Sequence, residues 1–153
     1  PELLVCGSGP VASALLRIAV SFGFSLVLCG EIEHAIADRK YASLVEMDSA
    51  VPAAVDRYVV VATQGKGDVT TLTAALKMAA RYIAFVGSRR KFASYEDKLT
   101  NAGLSAAKIA TVRSPAGVHI NAVTPDEIAL SIMAEIIQTR RTGGQQRTTD
   151  DAC

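Results

Sequence analysis

The chain has 153 residues, half of them hydrophobic, and a formal net charge of +1. This length suits one domain with one sizeable core, and the near-neutral charge does not favour a nucleic-acid surface. Apolar runs all fall short of the roughly 18 residues that a membrane span needs. We therefore expect neither a nucleic acid nor a membrane as a partner.

The first stretch predicts a strand, a tight glycine turn and a helix. An apolar run over residues 3–6 leads into GSGPVA at residues 7–12, after which apolar residues recur at helical spacing. Gly7 permits the sharp turn, Gly9 lets a phosphate approach the backbone, and Ala12 lets the helix lie close to the strand. The helix would direct its free N–H groups at a ligand in the turn. The same pattern also fits a turn that packs a strand against a helix and binds nothing.

A second strand over residues 26–29 ends at Gly30 and Glu31. Dinucleotide domains carry an acidic residue there, about 20 residues past the glycines, that binds ribose hydroxyls. Glu31 is the candidate and Glu33 a second option, although a solvated loop glutamate fits equally well. Because no arginine stands beside Glu31 to receive a 2′-phosphate, NAD is favoured over NADP.

Further apolar segments at 43–47, 58–62, 82–86 and 109–112 predict strands three to six, with helices between them. This alternation predicts an α/β, doubly wound, Rossmann-like fold with a mainly parallel six-stranded sheet in the order 3-2-1-4-5-6. We assign residues 1–141 to this domain and 142–153 to a disordered polar tail. Because the first strand directly follows Pro1, we expect the domain to have been cut from a longer chain.

Two polar segments follow the fourth and fifth predicted strands, at the strand ends where ligands bind in this architecture. The first contains Thr63 and Gln64, and its alternative interpretation is an ordinary turn with Asp68 as a helix cap. The second, residues 87–91, opens a helix predicted over 89–101.

This second segment holds Gly87, Ser88, Arg89, Arg90 and Lys91. Ser88 could cap the helix, and arginine grips phosphate or carboxylate groups bidentately. Three adjacent helical positions cannot all point one way, so at most one or two of these cations would face a ligand. A solvated helix start is the alternative.

The irregular loop 114–122 precedes a helix that Thr124 is predicted to cap. We expect Ser114, Pro115, Gly117 and His119 to line the opening of the crevice. His119 has no acidic partner nearby in sequence, so a structural role is favoured over a catalytic one, and no catalytic residue is assigned.

The three cysteines, Cys6, Cys29 and Cys153, share no metal-binding or redox spacing. Cys6 and Cys29 fall in predicted strands and are expected to be small buried residues. A reducing, cytoplasmic compartment fits this usage best.

Three segments together resemble the carboxy-terminal Rossmann domain of the XdhC/CoxI family: GSRRK at 87–91, SPAGVHI at 114–120 and TPDEIALSIMAEI at 124–136. The resemblance implies an accessory chaperone of molybdenum hydroxylases such as xanthine dehydrogenase. Such a protein binds molybdenum cofactor and assists its sulfuration and insertion. The implied partners are the apoenzyme, a cofactor sulfurase and a second copy in a homodimer. The family usually has an acidic residue where this chain has Gly30, and a histidine in the loop that contains Gln64.

The resulting hypothesis is an accessory domain that binds molybdenum cofactor or a dinucleotide in its crevice. Gly7, Ser8, Gly9 and Pro10 would line the phosphate, and Arg89 or Arg90 would add charge. Two alternatives stay open: an NAD-dependent oxidoreductase domain, and a docking module without a ligand.

Overall fold

The computed structural model describes residues 1–50 and 56–142, which form a parallel sheet with helices on both faces. The five strands are β1 (Glu2–Cys6), β2 (Ser25–Cys29), β3 (Arg39–Tyr41), β4 (Arg57–Val61) and β5 (Tyr82–Phe85). The seven α-helices in these residues are α1 (Pro10–Ala19), α2 (Leu44–Ala50), α3 (Asp68–Lys77), α4 (Arg89–Ala93), α5 (Glu96–Asn101), α6 (Ala106–Ile109) and α7 (Pro125–Thr142). None of the described helices is long and apolar enough to cross a membrane.

The sheet has the order β3-β2-β1-β4-β5, and its neighbouring strands are all parallel. β1 lies at the centre, with Cys6 in register with Cys29 of β2 on one side and with Val61 of β4 on the other. The carboxyl ends of these three strands therefore meet at one edge. The predicted fold class and the order of the first five strands are confirmed.

Side chains alternate between two cores, one on each face of the sheet. In β1, Leu3 and Val5 belong to the core covered by α1 and α7, whereas Leu4 and Cys6 belong to the core covered by α2, α3 and α5. All four are at most 1% exposed. This burial on both faces explains why the strands are continuous apolar runs rather than alternating ones.

The prediction of a third strand over residues 43–47 is wrong, because this segment begins α2. Leu44 and Met47 are buried, three positions apart, while Val45 and Glu46 between them are exposed. Ser43 Oγ accepts a hydrogen bond from the Glu46 backbone N–H, and the Glu46 carboxylate accepts one from Ala42. This S-x-x-E capping box is a helix signal that the strand interpretation overlooked. The third strand is instead Arg39–Tyr41.

The sixth strand predicted over 109–112 is also wrong. Ile109 and Val112 are buried at a spacing of three, and the intervening Ala110 and Thr111 are exposed, as in a helical turn. Only Arg113 joins the sheet, in an isolated parallel bridge with Ala84. The edge of β5 is therefore covered by a loop and not by a paired strand.

Two helix predictions have different outcomes. The predicted start of α7 is confirmed, because Thr124 Oγ1 accepts a hydrogen bond from the Glu127 N–H at 3.2 Å. The helix predicted over 89–101 is instead two short helices, α4 and α5, separated at residues 94–95. Of the polar tail predicted over 142–153, Thr142 ends α7 and the rest lies outside the described residues.

Candidate functional site

Gly7 brings the ends of β1 and β4 together. Its φ is +138°, and a Cβ added there would lie 2.1 Å from the carbonyl oxygen of Ala62. The predicted sharp turn at Gly7 is present. The close approach of the Gly7 and Ala62 backbones already requires a glycine at this position, whether or not a ligand binds.

The second glycine of the turn is covered by a side chain from the loop after β4. A Cβ added at Gly9 would lie 2.6 Å from the carboxamide of Gln64. Gln64 has a φ of +53°, which directs the loop backbone through a left-handed conformation. The place predicted for a phosphate next to Gly9 therefore holds the Gln64 side chain.

The turn is also joined to the end of β2. Ser8 Oγ accepts a hydrogen bond from the Glu31 N–H at 3.0 Å. A Cβ added at Gly30 would lie 2.4 Å from the carbonyl oxygen of Gly7. No side chain fits at Gly30 in this backbone, so the acidic residue that the family usually has there is sterically excluded.

Glu31 is exposed at this end of β2. It borders a small hollow of about 480 Å³, together with Leu28, Gly30, Ile32, Glu33 and Lys40. The residue predicted to bind ribose thus borders a surface hollow with two carboxylates, next to the glycine turn.

Two cysteines end the strands beneath these turns. Cys6 directly precedes Gly7, and Cys29 directly precedes Gly30. Both thiols are buried, as predicted, and they lie side by side on neighbouring strands. A hydrogen bond with Cys29, together with burial, holds the pKa of the Cys6 thiol well above its ordinary value. Because both thiols are buried, reagents in solution do not reach them in this state.

The amino terminus of α1 differs from those of the other capped helices. It has Gly9 as N-cap, no side-chain cap and no acidic residue in its first turn. Serine or threonine hydroxyls cap α2, α4, α6 and α7, the donors being the N–H groups of residues 46, 91, 108 and 127. The predicted capping role of Ser88 is among those confirmed. The positive end of the α1 dipole is left uncompensated by side chains.

Asp68 holds the loop that carries Gln64. From the sequence, this residue was considered only as a possible helix cap. Its side chain is 2% exposed and accepts hydrogen bonds from Thr63 Oγ1, from the Gly65 N–H at 2.9 Å and from Tyr95 Oη at 2.7 Å. Lys91 Nζ lies 3.5 Å from the same carboxylate. Burial opposes ionisation, but these hydrogen bonds and the lysine charge outweigh it and hold the pKa of Asp68 below its ordinary value of 3.8.

The three cations that open α4 have three different surroundings, as expected for adjacent helical positions. Arg89 borders a large cavity, Lys91 pairs with Asp68, and Arg90 is exposed. Unlike Arg89, Arg90 does not border this cavity.

A large cavity lies beside β5 and not at the glycine turn. It is open, measures about 1280 Å³, and is bordered by residues 80–83, 86–89, 108 and 110–122 and by one side of α7. We call it the β5-edge cavity. Of the predicted site residues, it is bordered by Gly87, Ser88, Arg89, Ser114, Pro115, Gly117 and His119.

The glycine turn thus collects Gly7, Ser8, Gly9, Pro10, Glu31, Thr63 and Gln64, none of which borders the β5-edge cavity. Apart from Arg90, the predicted site residues therefore fall into two groups, one at the glycine turn and one beside the β5-edge cavity.

Glu135 of α7 shapes the wall of this cavity. Its Oε2 accepts hydrogen bonds from Tyr82 Oη at 2.6 Å and from the Gly117 N–H at 2.8 Å. Gly117 lies so close to α7 that an added Cβ would be 2.2 Å from Ser131 Oγ. Burial and the contact with Glu135 raise the pKa of Tyr82, which stays protonated. Loop, strand and helix are thereby joined at one carboxylate.

Neither histidine has the surroundings of a catalytic base. His34 is about nine-tenths exposed beside Glu33, and His119 is exposed at the rim of the β5-edge cavity. Among residues 1–50 and 56–142, no group of three or more histidine, cysteine, aspartate or glutamate side chains is placed to hold a metal ion.

The amino-acid sequence is similar to those of two bacterial proteins. The chain is 27% identical over 149 residues to the uncharacterized protein YqeB of Escherichia coli, covering 92% of this chain and 27% of that protein. It is 27% identical over 151 residues to a Bacillus subtilis protein described as a probable xanthine dehydrogenase subunit, covering 92% of this chain and 43% of that one. The chain thus spans less than half the length of either relative.

The fold also matches a solved structure. The crystal structure of a xanthine dehydrogenase from Bacillus halodurans at 2.80 Å resolution superposes with a TM-score of 0.74 at 25% identity, covering 98% of this chain and 44% of that one. The family model described as the XdhC Rossmann domain matches residues 3–136. The chain belongs to the XdhC Rossmann domain family.

Proposed function

We propose that this domain serves a molybdenum hydroxylase of the xanthine dehydrogenase type as an accessory domain. In this role it binds the phosphate of molybdenum cofactor or of a nucleotide at the glycine turn. Membership in the XdhC Rossmann family supports the link to that enzyme system. A relative whose name contains xanthine dehydrogenase, and a structural neighbour of the same description, support it as well.

The observation that carries the ligand proposal is the uncapped start of α1 at the end of the central strand. A helix N-terminus without a side-chain cap or an acidic residue presents its first N–H groups and its positive dipole end to an anion. Gly9 has no side chain of its own to block the approach of an anion to the backbone at that point. These features suit a phosphate group.

Gln64 occupies the position at which the proposal places a phosphate. Its carboxamide lies over Gly9, so a phosphate has to displace it or be contacted by it. The side chain is exposed and no hydrogen bond holds it among the described residues, which makes displacement inexpensive. If it were not displaced, the domain would act as the docking module without ligand.

A nucleotide is the second candidate ligand because of the hollow beside Glu31. In dinucleotide domains an acidic side chain at the end of the second strand binds ribose hydroxyls. Glu31 has that place, and its backbone N–H is fixed by Ser8. NAD-dependent hydride transfer would need a substrate-positioning group in addition, and neither histidine has the surroundings for it.

The test is calorimetric titration of the protein with NAD, ATP and purified molybdenum cofactor, alongside co-purification with an apo-hydroxylase. Gly9→Val places a branched side chain at the phosphate position, where the nearest atoms belong to the end of the Gln64 side chain. We expect it to abolish ligand binding with little change in melting temperature. Ala134→Val, on the exposed side of α7, is the matched control.

Retained affinity in a folded Gly9→Val variant would refute the glycine turn as the site. Co-purification with the apoenzyme in the absence of any ligand binding would favour the docking module. Failure of both measurements would refute the accessory role.

A further inference from the structure

We propose that the β5-edge cavity is a second anion-binding site, separate from the glycine turn. It would take a small organic anion with an apolar, flat body and a phosphate or carboxylate group. This inference goes beyond the proposed function and does not depend on it, because it rests on different residues.

The cavity wall carries an excess of unpaired positive charge. Arg89, Lys108 and Arg113 border the cavity, and none of them has a salt bridge or a side-chain hydrogen bond within the part of the chain that the structure describes. Arg81 borders it too, but pairs with Asp56 at 3.1 Å. Clefts lined by charge of one sign concentrate ligands of the opposite sign.

Negative charge on the wall is already engaged. Glu135 is the one acidic side chain among the described residues that border the cavity. Its Oε2 accepts hydrogen bonds from Tyr82 and Gly117, and it forms no salt bridge with the three cations among the described residues, so one carboxylate stands against three positive charges. The cavity is therefore cationic, although the whole chain has a formal charge of only +1.

The rest of the lining defines the body of the ligand. Ile83, Val86 and Ile128 supply apolar surface to the same cavity. Ser114 adds a hydroxyl whose oxygen is buried without a hydrogen-bond partner among the described residues. A serine has one side-chain torsion, and turning it toward a ligand oxygen would give this hydroxyl the partner it lacks. An apolar wall with a few convergent polar groups is the usual composition of a small-molecule site.

The site is distinct from the glycine turn in its residues and its position on the sheet. It extends along β5 and the loop at 113–122, at the outer edge, whereas the glycine turn lies at the end of the central strand. A volume of about 1280 Å³ is ample for a mononucleotide-sized molecule. Loss of one site therefore need not affect the other.

The experiment uses 1-naphthyl phosphate and naphthalene-1-carboxylate as anionic probes, and 1-naphthol as the uncharged match. Binding to the whole chain is followed by calorimetry, with melting temperature as the check on folding. We expect both anions to bind more tightly than 1-naphthol. Arg113→Gln and Arg89→Gln should each weaken their binding about tenfold or more, the value of a charge-assisted hydrogen bond.

Lys98→Gln is the charge-matched control, because Lys98 is exposed on α5 and does not border the cavity. It and Gly9→Val should leave probe affinity unchanged. The proposal is overturned if neither anion binds at millimolar concentration, if 1-naphthol binds equally well, or if folded Arg89→Gln and Arg113→Gln variants retain full affinity. Loss of probe binding in Gly9→Val alone would place the probes at the glycine turn and would also overturn it.

Discussion

The glycine turn and the β5-edge cavity belong to the same sheet, but the first is filled by closely packed backbone and the second is open. At the glycine turn, the backbones of Gly7 and Gly30 touch neighbouring carbonyls, and the Gln64 side chain covers Gly9. At the β5-edge cavity, the missing sixth strand leaves open space beside Arg113. The motif that is easiest to recognise therefore marks closely packed backbone, while a large open cavity with unpaired positive charge lies beside the edge strand.

The largest effect that would sharpen this comparison is expected for Gly30→Asp, which introduces the acidic residue that the family resemblance implies for this position. Its Cβ would lie 2.4 Å from the carbonyl oxygen of Gly7 at a φ of +155°. Backbone strain and overpacking together should lower the free energy of unfolding by roughly 3 to 4 kcal/mol, as measured by urea denaturation.

Gly23→Ala is the control for this variant, because Gly23 also has a positive φ but has nothing within 4 Å of an added Cβ. It should cost only about 1 kcal/mol. Equal losses in the two variants would mean that φ strain alone matters and that the turns are not packed as described.

A smaller effect is expected for Asp68→Asn, which tests how firmly the Gln64 loop is held over the turn. The carboxylate accepts three hydrogen bonds and faces Lys91. Asparagine should lower the free energy of unfolding by about 2 to 3 kcal/mol at neutral pH. Chemical denaturation over a series of pH values measures it.

The pH dependence has a definite sign. Because the pKa of Asp68 is depressed on folding, its stabilisation is complete above the ordinary value of 3.8 and is lost as the pH falls through the lower folded value. The stability difference between wild type and Asp68→Asn should therefore be constant at neutral pH and shrink below about pH 4. A difference that persists in acid would show that the charge of Asp68 is not what holds the loop.

Sequence patterns predicted the order of the five strands and the helix caps at Ser88 and Thr124, because these depend on local periodicity and short-range hydrogen bonds. Two apolar segments were misassigned as strands because a few apolar residues in a row fit either period. At 43–47 and 109–112, the burial at a spacing of three distinguishes a helical turn.

The sequence indicated which residues belong to the candidate sites, but not which of these residues lie together in the fold. The loops after β4 and β5 were correctly expected to contain polar clusters, but Gln64 covers Gly9 through a contact between residues 55 positions apart. The two regions separate because Arg113 forms only a bridge with Ala84 and leaves the cavity open. Such tertiary contacts leave no periodic signal in a single sequence. Asp68 was likewise taken for a local cap because its partner Tyr95 belongs to a later part of the chain.

The smallest effect is expected for Gln64→Ala, which opens the glycine turn. Removing the carboxamide from above Gly9 should tighten binding of a phosphate-bearing ligand by severalfold, up to about tenfold. Titration of NAD or purified molybdenum cofactor against wild type and variant measures the change, and Lys66→Ala in the same loop is the control. Weaker binding in Gln64→Ala would show instead that the carboxamide contacts the ligand.

The adjacent thiols of Cys6 and Cys29 can serve as natural probes of local opening at the centre of the sheet. A thiol reagent in solution can modify these sulfurs only after the strand ends separate, so the modification rate reports the opening equilibrium of the structure around them. Cys153→Ser would leave these two cysteines alone in the chain. Each cysteine directly precedes a glycine of the two turns, Gly7 or Gly30. A molecule bound at the glycine turn would therefore lower the rate of thiol modification by the factor with which it stabilises the closed form. Local opening and occupancy of the turn could thus be followed in one kinetic trace.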